Sequence, residues 1–280
     1  MSSGYQARDE EVVDYQLWKL RGIFRELRGP APSSIFPGKY ATCVGAAQTF
    51  GCYAEQPFPT LLSSDTGLPI LNFGVAGAGP SFFTDKPAFI KYINEGRFAI
   101  VQIMSARSVS NSQFISSGGE TLQRRSDGVR KNASQLYQEL LDTRDKALIK
   151  KVVEESRAAW VEGMIGLLDT IKVPTILLWV SMRRPAYWPR YRKSASLFGT
   201  FPQLVNKPMV ETVRQHADVY VQHVSKRGMP QPLFSRHTGE PVNVFGRDGP
   251  KPTNTYYPSP EIHRQVFLKL NRVLRSNNIL

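Results

Sequence analysis

YATCVGAAQTFG, running from Tyr40 to Gly51, and LPILNFGVAGAGP, from Leu68 to Pro80, decide the fold of this chain. Each begins as an apolar strand and ends in a turn rich in glycine and small residues. A short apolar run closed by such a turn reads as a buried strand. In an open α/β sheet, ligands lie beyond the carboxyl ends of strands of this kind. FAIVQIM (98–104), VPTILLWVS (173–181) and DVYVQHVS (218–225) repeat the strand signal further along. Helical spacing fills the intervals, in PFPTLL (57–62), KPAFIKYINEG (86–96) and a long stretch from about Ala133 to Ile171. Strands alternating with helices predict an α/β fold, a doubly wound, flavodoxin-like parallel sheet of about five strands with helices on both faces.

Outside this frame, residues 1–39 read as a helical leader packing on the core, with apolar positions at Val13, Leu17, Leu20 and Phe24. GPAPSSIFPG (29–38) ends it with three prolines and two glycines. Residues 40–280 form the α/β domain, with an insertion at about 107–172. The Ser-, Gly- and Arg-rich stretch 107–132 reads as a mobile loop, and 226–258 as a Pro/Gly-rich one. Ser259 and Pro260 are placed as N-cap and first residue of an amphipathic C-terminal helix.

The chain has 280 residues, 41% of them apolar, enough for one large core without staples. Cys43 and Cys52 give no disulfide framework, and Cys43 falls in a predicted core strand. The N-terminus has no basic and apolar signal regions, and no apolar run nears the roughly 20 residues of a membrane span. A cytoplasmic protein without a membrane span is expected. Net charge is +13. Arg183, Arg184, Arg190, Arg192 and Lys193 fall in an acid-free stretch, and Arg124, Arg125, Arg130 and Lys131 form a second group. Either these are a solvated basic surface or they meet an anionic ligand. Nucleic acid is the least favoured partner and rests on charge alone, because no helix-turn-helix, RNA-recognition or zinc-finger pattern is present. His216, His223 and His237 lack metal-ligand spacing, so no metal is expected, and no cofactor motif such as a Walker loop is present.

The turn residues resemble those of the SGNH (GDSL-like) hydrolases. The first block of that family, G-D-S or G-G-S-x-T-x-G, aligns with Gly45-Ala46-Ala47-Gln48-Thr49-Phe50-Gly51. The second, N-x-G-x-x-G, aligns with Asn72-Phe73-Gly74-Val75-Ala76-Gly77. The last, D-x-x-H-P, aligns with Asn254-Thr255-Tyr256-Tyr257-Pro258 ahead of the C-terminal helix. The likeness covers about 40–110 and 173–275. The whole chain is also similar to an uncharacterised family of bacterial proteins. The departures fall on the chemistry. Ala47 stands at the nucleophile, Tyr257 at the histidine and Asn254 at the aspartate, and the third block has become Met104-Ser105-Ala106-Arg107-Ser108. Loss of the serine or histidine of such a triad costs about a million-fold in turnover. Ester hydrolysis through position 47 is therefore excluded.

What the resemblance implies is a polar pocket at one end of the sheet. Gln48, Thr49, Asn72, Gly74, Gly77, Ser105, Arg107, Ser108, Asn111 and Arg183 are the candidate ligand-binding residues. Backbone amides of Gly-rich turns bind anions, and arginine forks match sulfate, phosphate and carboxylate. Each residue also has a plain structural reading: turn organisation for Gln48, Thr49 and Asn72, or a salt bridge for Arg107. Tyr257 and His263 are the candidate catalytic bases, with His263 one turn into the last helix. Ser105, Ser108 and Ser110 are the only serines considered as replacement nucleophiles, and none has an evident base. Besides a basic nucleic-acid binder, which rests on charge alone, two functions remain. One is transfer of an acyl or sulfuryl group from an anionic donor to a cell-envelope carbohydrate or lipid. The other is non-catalytic binding or scaffolding around an anionic or carbohydrate ligand. The partner in both is a small molecule or glycan carrying negative charge; the oligomeric state is not legible.

Overall fold

The computed structural model describes residues 4–246 and 249–280. Five strands build the central sheet: β1 Ala41–Gly45, β2 Ile70–Gly74, β3 Ala99–Gln102, β4 Thr175–Ser181 and β5 Val219–Val224. Their order is β2-β1-β3-β4-β5, and every pairing is parallel. The chain steps outward one way from β1 to β2, then crosses back to β3. The β1/β3 boundary is thus the topological switch point of a doubly wound, flavodoxin-like sheet.

Ten helices are used below: α1 Gly4–Asp9, α2 Ala47–Phe50, α3 Phe58–Thr66, α4 Ser81–Thr84, α5 Pro87–Asn94, α6 Ala133–Asp142, α7 Lys146–Thr170, α8 Ser194–Phe198, α9 Lys207–Val213 and α10 Pro260–Ser276. Strand residues alternate between the two faces. Cys43, Ile176 and Leu178 pack on Phe58 and Leu62 of α3 and on Val266 and Leu270 of α10. Val44, Val101, Leu177 and Trp179 pack on Phe89 of α5, Trp160 and Leu167 of α7 and Val210 of α9. Both faces are covered, which is why the strands read as unbroken apolar runs. Each side chain so buried contributes about 1.5–3 kcal/mol. Ser259 Oγ accepts from the Ile262 N–H at 3.2 Å and starts α10 as its sequence position predicts.

The leader departs from the expected helix. Helix α1 stops at Asp9, and the only later regular pieces are two short strands, Trp18–Lys19 and Glu26–Leu27, paired antiparallel. Local side chains capture the backbone instead. Asp14 Oδ1 accepts from the Gln16 N–H at 2.8 Å and Gln6 Oε1 from the Tyr15 N–H at 2.6 Å. Such bonds compete with helix formation. The apolar spacing arises because Val13, Tyr15, Leu20, Ile23 and Leu27 are all pressed onto the body in a non-helical path. Arg28 fastens that path by donating to the Ala54 and Glu55 carbonyls at 2.9 and 2.8 Å.

The stretch expected as a mobile loop is also ordered. Phe114–Ser116, Thr121–Arg124 and Arg130–Asn132 form a three-stranded antiparallel sheet. Arg124 and Lys131 on it both pair with Glu139 of α6. The long helix splits at Thr143–Asp145, where Arg144 takes φ +58° and Asp145 caps α7 through the Leu148 N–H at 2.9 Å. Helix α7 then makes the crossover between β3 and β4, and Trp160 Nε1 donates to the Met104 carbonyl at 3.0 Å. Within 226–258, short strands pair Gln231–Pro232 with Thr253–Asn254 and Val244–Gly246 with Gly249–Lys251. Among the described residues no helix is long and apolar enough to cross a membrane.

Candidate functional site

At the switch point the polar residues hold one another. Thr49 Oγ1 donates to Gln102 Oε1 at 2.6 Å, and the Ala46 N–H donates to the same oxygen at 3.0 Å. Asn72 Nδ2 donates to the Thr49 carbonyl at 3.0 Å, while its Oδ1 accepts from the Gly74 N–H at 2.9 Å. A Cβ on Gly74 would lie 2.1 Å from the Phe50 nitrogen, so the turn after β2 packs directly on α2. Gly77 takes φ +66° against Glu120. Thr49, Asn72 and Gly74 therefore tie the ends of β1, β2 and β3 together. Gln48 is buried, and neither of its polar atoms has a partner among the described residues. It borders a cavity of about 10 Å³ with Ser181, Thr200 and Tyr256, room for about one water.

The residues after β3 turn away from this point. Ser105 Oγ donates to the Gln203 carbonyl at 3.4 Å. Arg107 Nη1 meets Ser134 Oγ at 3.4 Å, and its guanidinium lies 5.9 Å from the Phe198 ring centre. Ser108 is fully buried and its hydroxyl has no partner among the described residues. Asn111 donates to Tyr137 Oη and Ser156 Oγ at 3.3 and 3.1 Å, joining α6 to α7. Arg183 is consumed by its own loop. It donates to the carbonyls of Thr200, Pro202 and Val205 at 2.8, 2.6 and 2.8 Å and lies between the Trp179 and Tyr187 rings. Burial lowers its pKa to about 10. Neither Arg107 nor Arg183 lines the large crevice described next, which corrects the expectation that both reach one pocket.

His263 is likewise placed elsewhere than expected of a base. Its Nδ1 accepts from the Phe58 N–H at 3.3 Å, and its ring stacks on Phe58 at 5.9 Å. It is 1% exposed. Burial, with the nearby Arg28 charge second, pulls its pKa to about 3. It joins α10 to the start of α3.

The open site lies beside this frame, at the carboxyl ends of β1 and β2. A crevice of about 850 Å³ is lined by Phe50, Tyr53, Gly74, Val75 and Ala76, by Tyr5, Arg8, Arg25 and Glu26 of the leader, and by Glu120. Lys251 and residues 253–257 close its far wall. Asn254 shapes that wall. Its Oδ1 accepts from the Tyr256 and Tyr257 N–H groups at 3.0 and 2.9 Å, and its Nδ2 donates to Gln231 Oε1 at 2.9 Å. The block that aligns with a catalytic Asp and His is thus a turn that presents two tyrosines. Ala47, at the aligned nucleophile position, is buried among Tyr15, Phe50, Cys52 and Tyr53, with Tyr5 and Tyr257 against the cluster.

The crevice electrostatics come from the leader. Arg8 forks onto Asp9 through Nε at 2.5 Å and Nη2 at 2.6 Å, and Asp9 also accepts from Tyr15 Oη at 2.6 Å. The same guanidinium faces the rings of Tyr5, Tyr53 and Tyr257 at 4.9, 5.1 and 5.6 Å. Burial opposes the Arg8 charge, but the bonds to Asp9 outweigh it and raise its pKa. Burial, followed by the Cys52 thiol, raises the pKa of Tyr257 and makes its phenolate costly. Arg25 lies against Phe24 and Phe82 at 5.6 and 5.4 Å and makes no ion pair among the described residues. Burial lowers its pKa. Tyr53 sits at φ +60°, a costly conformation for a bulky residue and one found at functional sites.

A model of the family described as "Domain of unknown function (DUF6473)" matches residues 2–117 and 133–278. The chain belongs to that family. The unmatched interval, 118–132, holds two strands of the antiparallel sheet and crevice residue Glu120. No curated protein matches the chain. Among solved structures, it is similar to a Corynascus thermopiles (Myceliophthora fergusii) carbohydrate esterase family 2 enzyme with a carbohydrate binding domain. The identity is 11% and the TM-score 0.40, over 88% of this chain and 68% of that one. A gut microbial diltiazem-metabolizing enzyme gives 11% identity and a TM-score of 0.44, over 85% of this chain; the chain spans about half, 47%, of that enzyme. A Lactobacillus plantarum protein gives 12% identity and a TM-score of 0.38, over 87% of this chain and 99% of that one. Likenesses this distant carry no argument about the site.

Sequence reasoning missed Tyr5, Arg8, Arg25, Tyr53, Glu120 and Lys251. Tyr53 carried a usable signal, being an aromatic two residues after the Gly51 that closes the first block. The leader residues carried none, because their path over the sheet is set by long-range packing.

Proposed function

We propose that the crevice binds a carbohydrate bearing a carboxylate, sulfate or phosphate, and that the protein does not hydrolyse it. The observation that carries this reading is Arg25. It is a cation partly stripped of water, with a lowered pKa and no acidic partner among the described residues, on the wall of an aromatic crevice of about 850 Å³. An anionic ligand supplies the missing partner. Tyrosine rings offer flat faces for a sugar ring, with hydroxyls at their edges. The volume is that of a small-molecule site. Hydrolysis lacks its parts: Ala47 has no lone pair, and His263 is sealed away on Phe58.

The test is calorimetry with an acidic oligosaccharide and its neutral counterpart. A hydrogen bond to a charged group contributes about 1.5–3 kcal/mol, so the neutral sugar is expected to bind more than about tenfold more weakly. Arg25→Gln should remove that preference. Equal affinity for both sugars, or no binding of either, overturns the proposal.

One observation favours group transfer as a second reading: the Glu26 carboxylate lines the same crevice. An acceptor hydroxyl oxygen would bond to the carbonyl carbon or sulfur of an activated donor. Glu26 would take the hydroxyl proton, and the donor's leaving group would depart with the electron pair. Incubation with acyl-CoA or phosphoadenosine phosphosulfate and an oligosaccharide should then give a mass-shifted product that Glu26→Gln abolishes. Unaltered sugar leaves the binding reading alone.

A further inference from the structure

The five basic residues between Arg183 and Lys193 divide by role. Arg183 is turned inward onto backbone carbonyls. Arg184, Arg190, Arg192 and Lys193 are exposed and make no ion pair among the described residues. The second basic group differs, since Arg124 and Lys131 are neutralised by Asp127 and Glu139. Among the free cations stands Trp188, 89% exposed, more than any other large apolar side chain among the described residues. Tyr191 beside it is 45% exposed.

The loop that presents this indole is braced. The Arg190 N–H donates to the Ser196 carbonyl at 3.2 Å, and Ser196 Oγ donates back to the Arg190 carbonyl at 3.0 Å. Tyr187 Oη donates to the Leu197 carbonyl. Ser194 is joined to α6 through Gln138 at 3.0 Å. Trp188 is therefore held in water by an ordered frame. Its immediate neighbours, Tyr187 and Pro189, are half-buried. An indole projecting from a ring of arginine and lysine matches a surface that is anionic outside and apolar a few ångströms beneath.

We propose that residues 184–193 dock on an anionic phospholipid bilayer. Trp188 enters the boundary between headgroups and acyl chains, where indoles concentrate. Arg184, Arg190, Arg192 and Lys193 lie over the lipid phosphates, each attracted by the negative surface potential. Nucleic acid fits less well. Single-strand binders stack successive bases on several rings along a groove, whereas here one indole leads. The loop leaves the sheet just after β4 ends at Ser181, at the carboxyl edge that also carries the crevice. Docking therefore brings the crevice end of the sheet toward the bilayer. This inference does not depend on what the crevice binds.

The experiment mixes the full-length chain with vesicles of phosphatidylcholine alone, or of phosphatidylcholine with phosphatidylglycerol. Trp160 and Trp179 are fully buried and Trp18 is partly buried, so comparison with Trp188→Ala assigns the change in indole emission to Trp188. Blue-shifted emission and co-sedimentation are expected with the anionic vesicles only, and high salt should reverse both. Arg190→Ala and Arg192→Ala should each weaken partitioning about fivefold. Trp188→Ala should abolish the blue shift without moving the unfolding transition, because the side chain touches little of the fold. Equal binding to neutral vesicles, binding to neither, or tighter binding to duplex DNA than to anionic vesicles overturns the proposal.

Discussion

Lowering the pH should destabilise the protein through His263 in a way that one substitution isolates. The folded ring has a pKa of about 3, against an ordinary value of 6.5. Between those values the unfolded chain binds a proton that the folded chain refuses. Stability therefore rises with pH across the window. The His263 contribution is whole above 6.5 and is lost as pH falls toward about 3. One proton is worth about 1.4 kcal/mol per pH unit, and the full interval about 5 kcal/mol. Carboxylates titrate in the lower part of the same window, so the wild-type profile alone does not identify the group. His263→Asn offers an amide oxygen to the Phe58 N–H and cannot titrate. Urea unfolding of both proteins at several pH values between about 6 and 4 gives two slopes. Their difference should be one proton, about 1.4 kcal/mol per unit. Parallel slopes would refute the buried, neutral His263 and reopen its candidacy as a base.

The other expectations concern residues whose roles the structure reassigns. Gly74→Ala forces a Cβ to 2.1 Å from the Phe50 nitrogen and should cost more than about 3 kcal/mol or prevent folding, read by denaturant midpoint. Arg183→Ala strips its carbonyl partners and should cost about 3 kcal/mol while leaving crevice affinity within twofold, as calorimetry will show. Ser259→Ala loses the α10 cap and should cost about 1 kcal/mol, roughly 2–4 °C in Tm. Ala47→Ser puts a hydroxyl into the aromatic cluster of Tyr15, Phe50 and Tyr53. It should lower stability by about 1–3 kcal/mol and leave p-nitrophenyl acetate hydrolysis at background; turnover blocked by a fluorophosphonate would show a working base nearby.

The sheet was legible because its signals are local. Ala41–Gly45 is buried throughout and Ile70–Gly74 nearly so, and Asn72 accepts from the Gly74 N–H two residues on, although the tight packing of Gly74 itself is against the sequence-distant Phe50. The parallel pairing with helices on both faces followed from alternation with helices. The leader was not legible. Val13, Leu20 and Ile23 are spaced as in a helix, yet their spacing records packing on a remote surface, while Asp14 and Gln6 divert the backbone. The stretch 107–132 looked loose because its three strands are short and polar. Its order comes from Glu139 on a helix that the sequence places after it.

The site divided along the same line. Position after a buried strand correctly put Arg107 and Arg183 at the carboxyl end of the sheet. It does not say where a guanidinium points once a loop returns over it. The loop through Thr200, Pro202 and Val205 offers Arg183 three carbonyls, and Ser134 and Phe198 engage Arg107. Arg183 is held by these carbonyls although burial lowers its pKa, and Arg107 is held by Ser134 with its buried Nε left unpartnered among the described residues. Arg25, on the leader, has no such acceptor among the described residues, which is the observation the proposed anion preference rests on. The residues at and near the aligned positions are likewise engaged within the fold. Ala47 packs into the aromatic cluster, Asn254 holds the turn that presents Tyr256 and Tyr257, and His263 beyond them accepts from the Phe58 N–H while its buried Nε2 has no partner among the described residues.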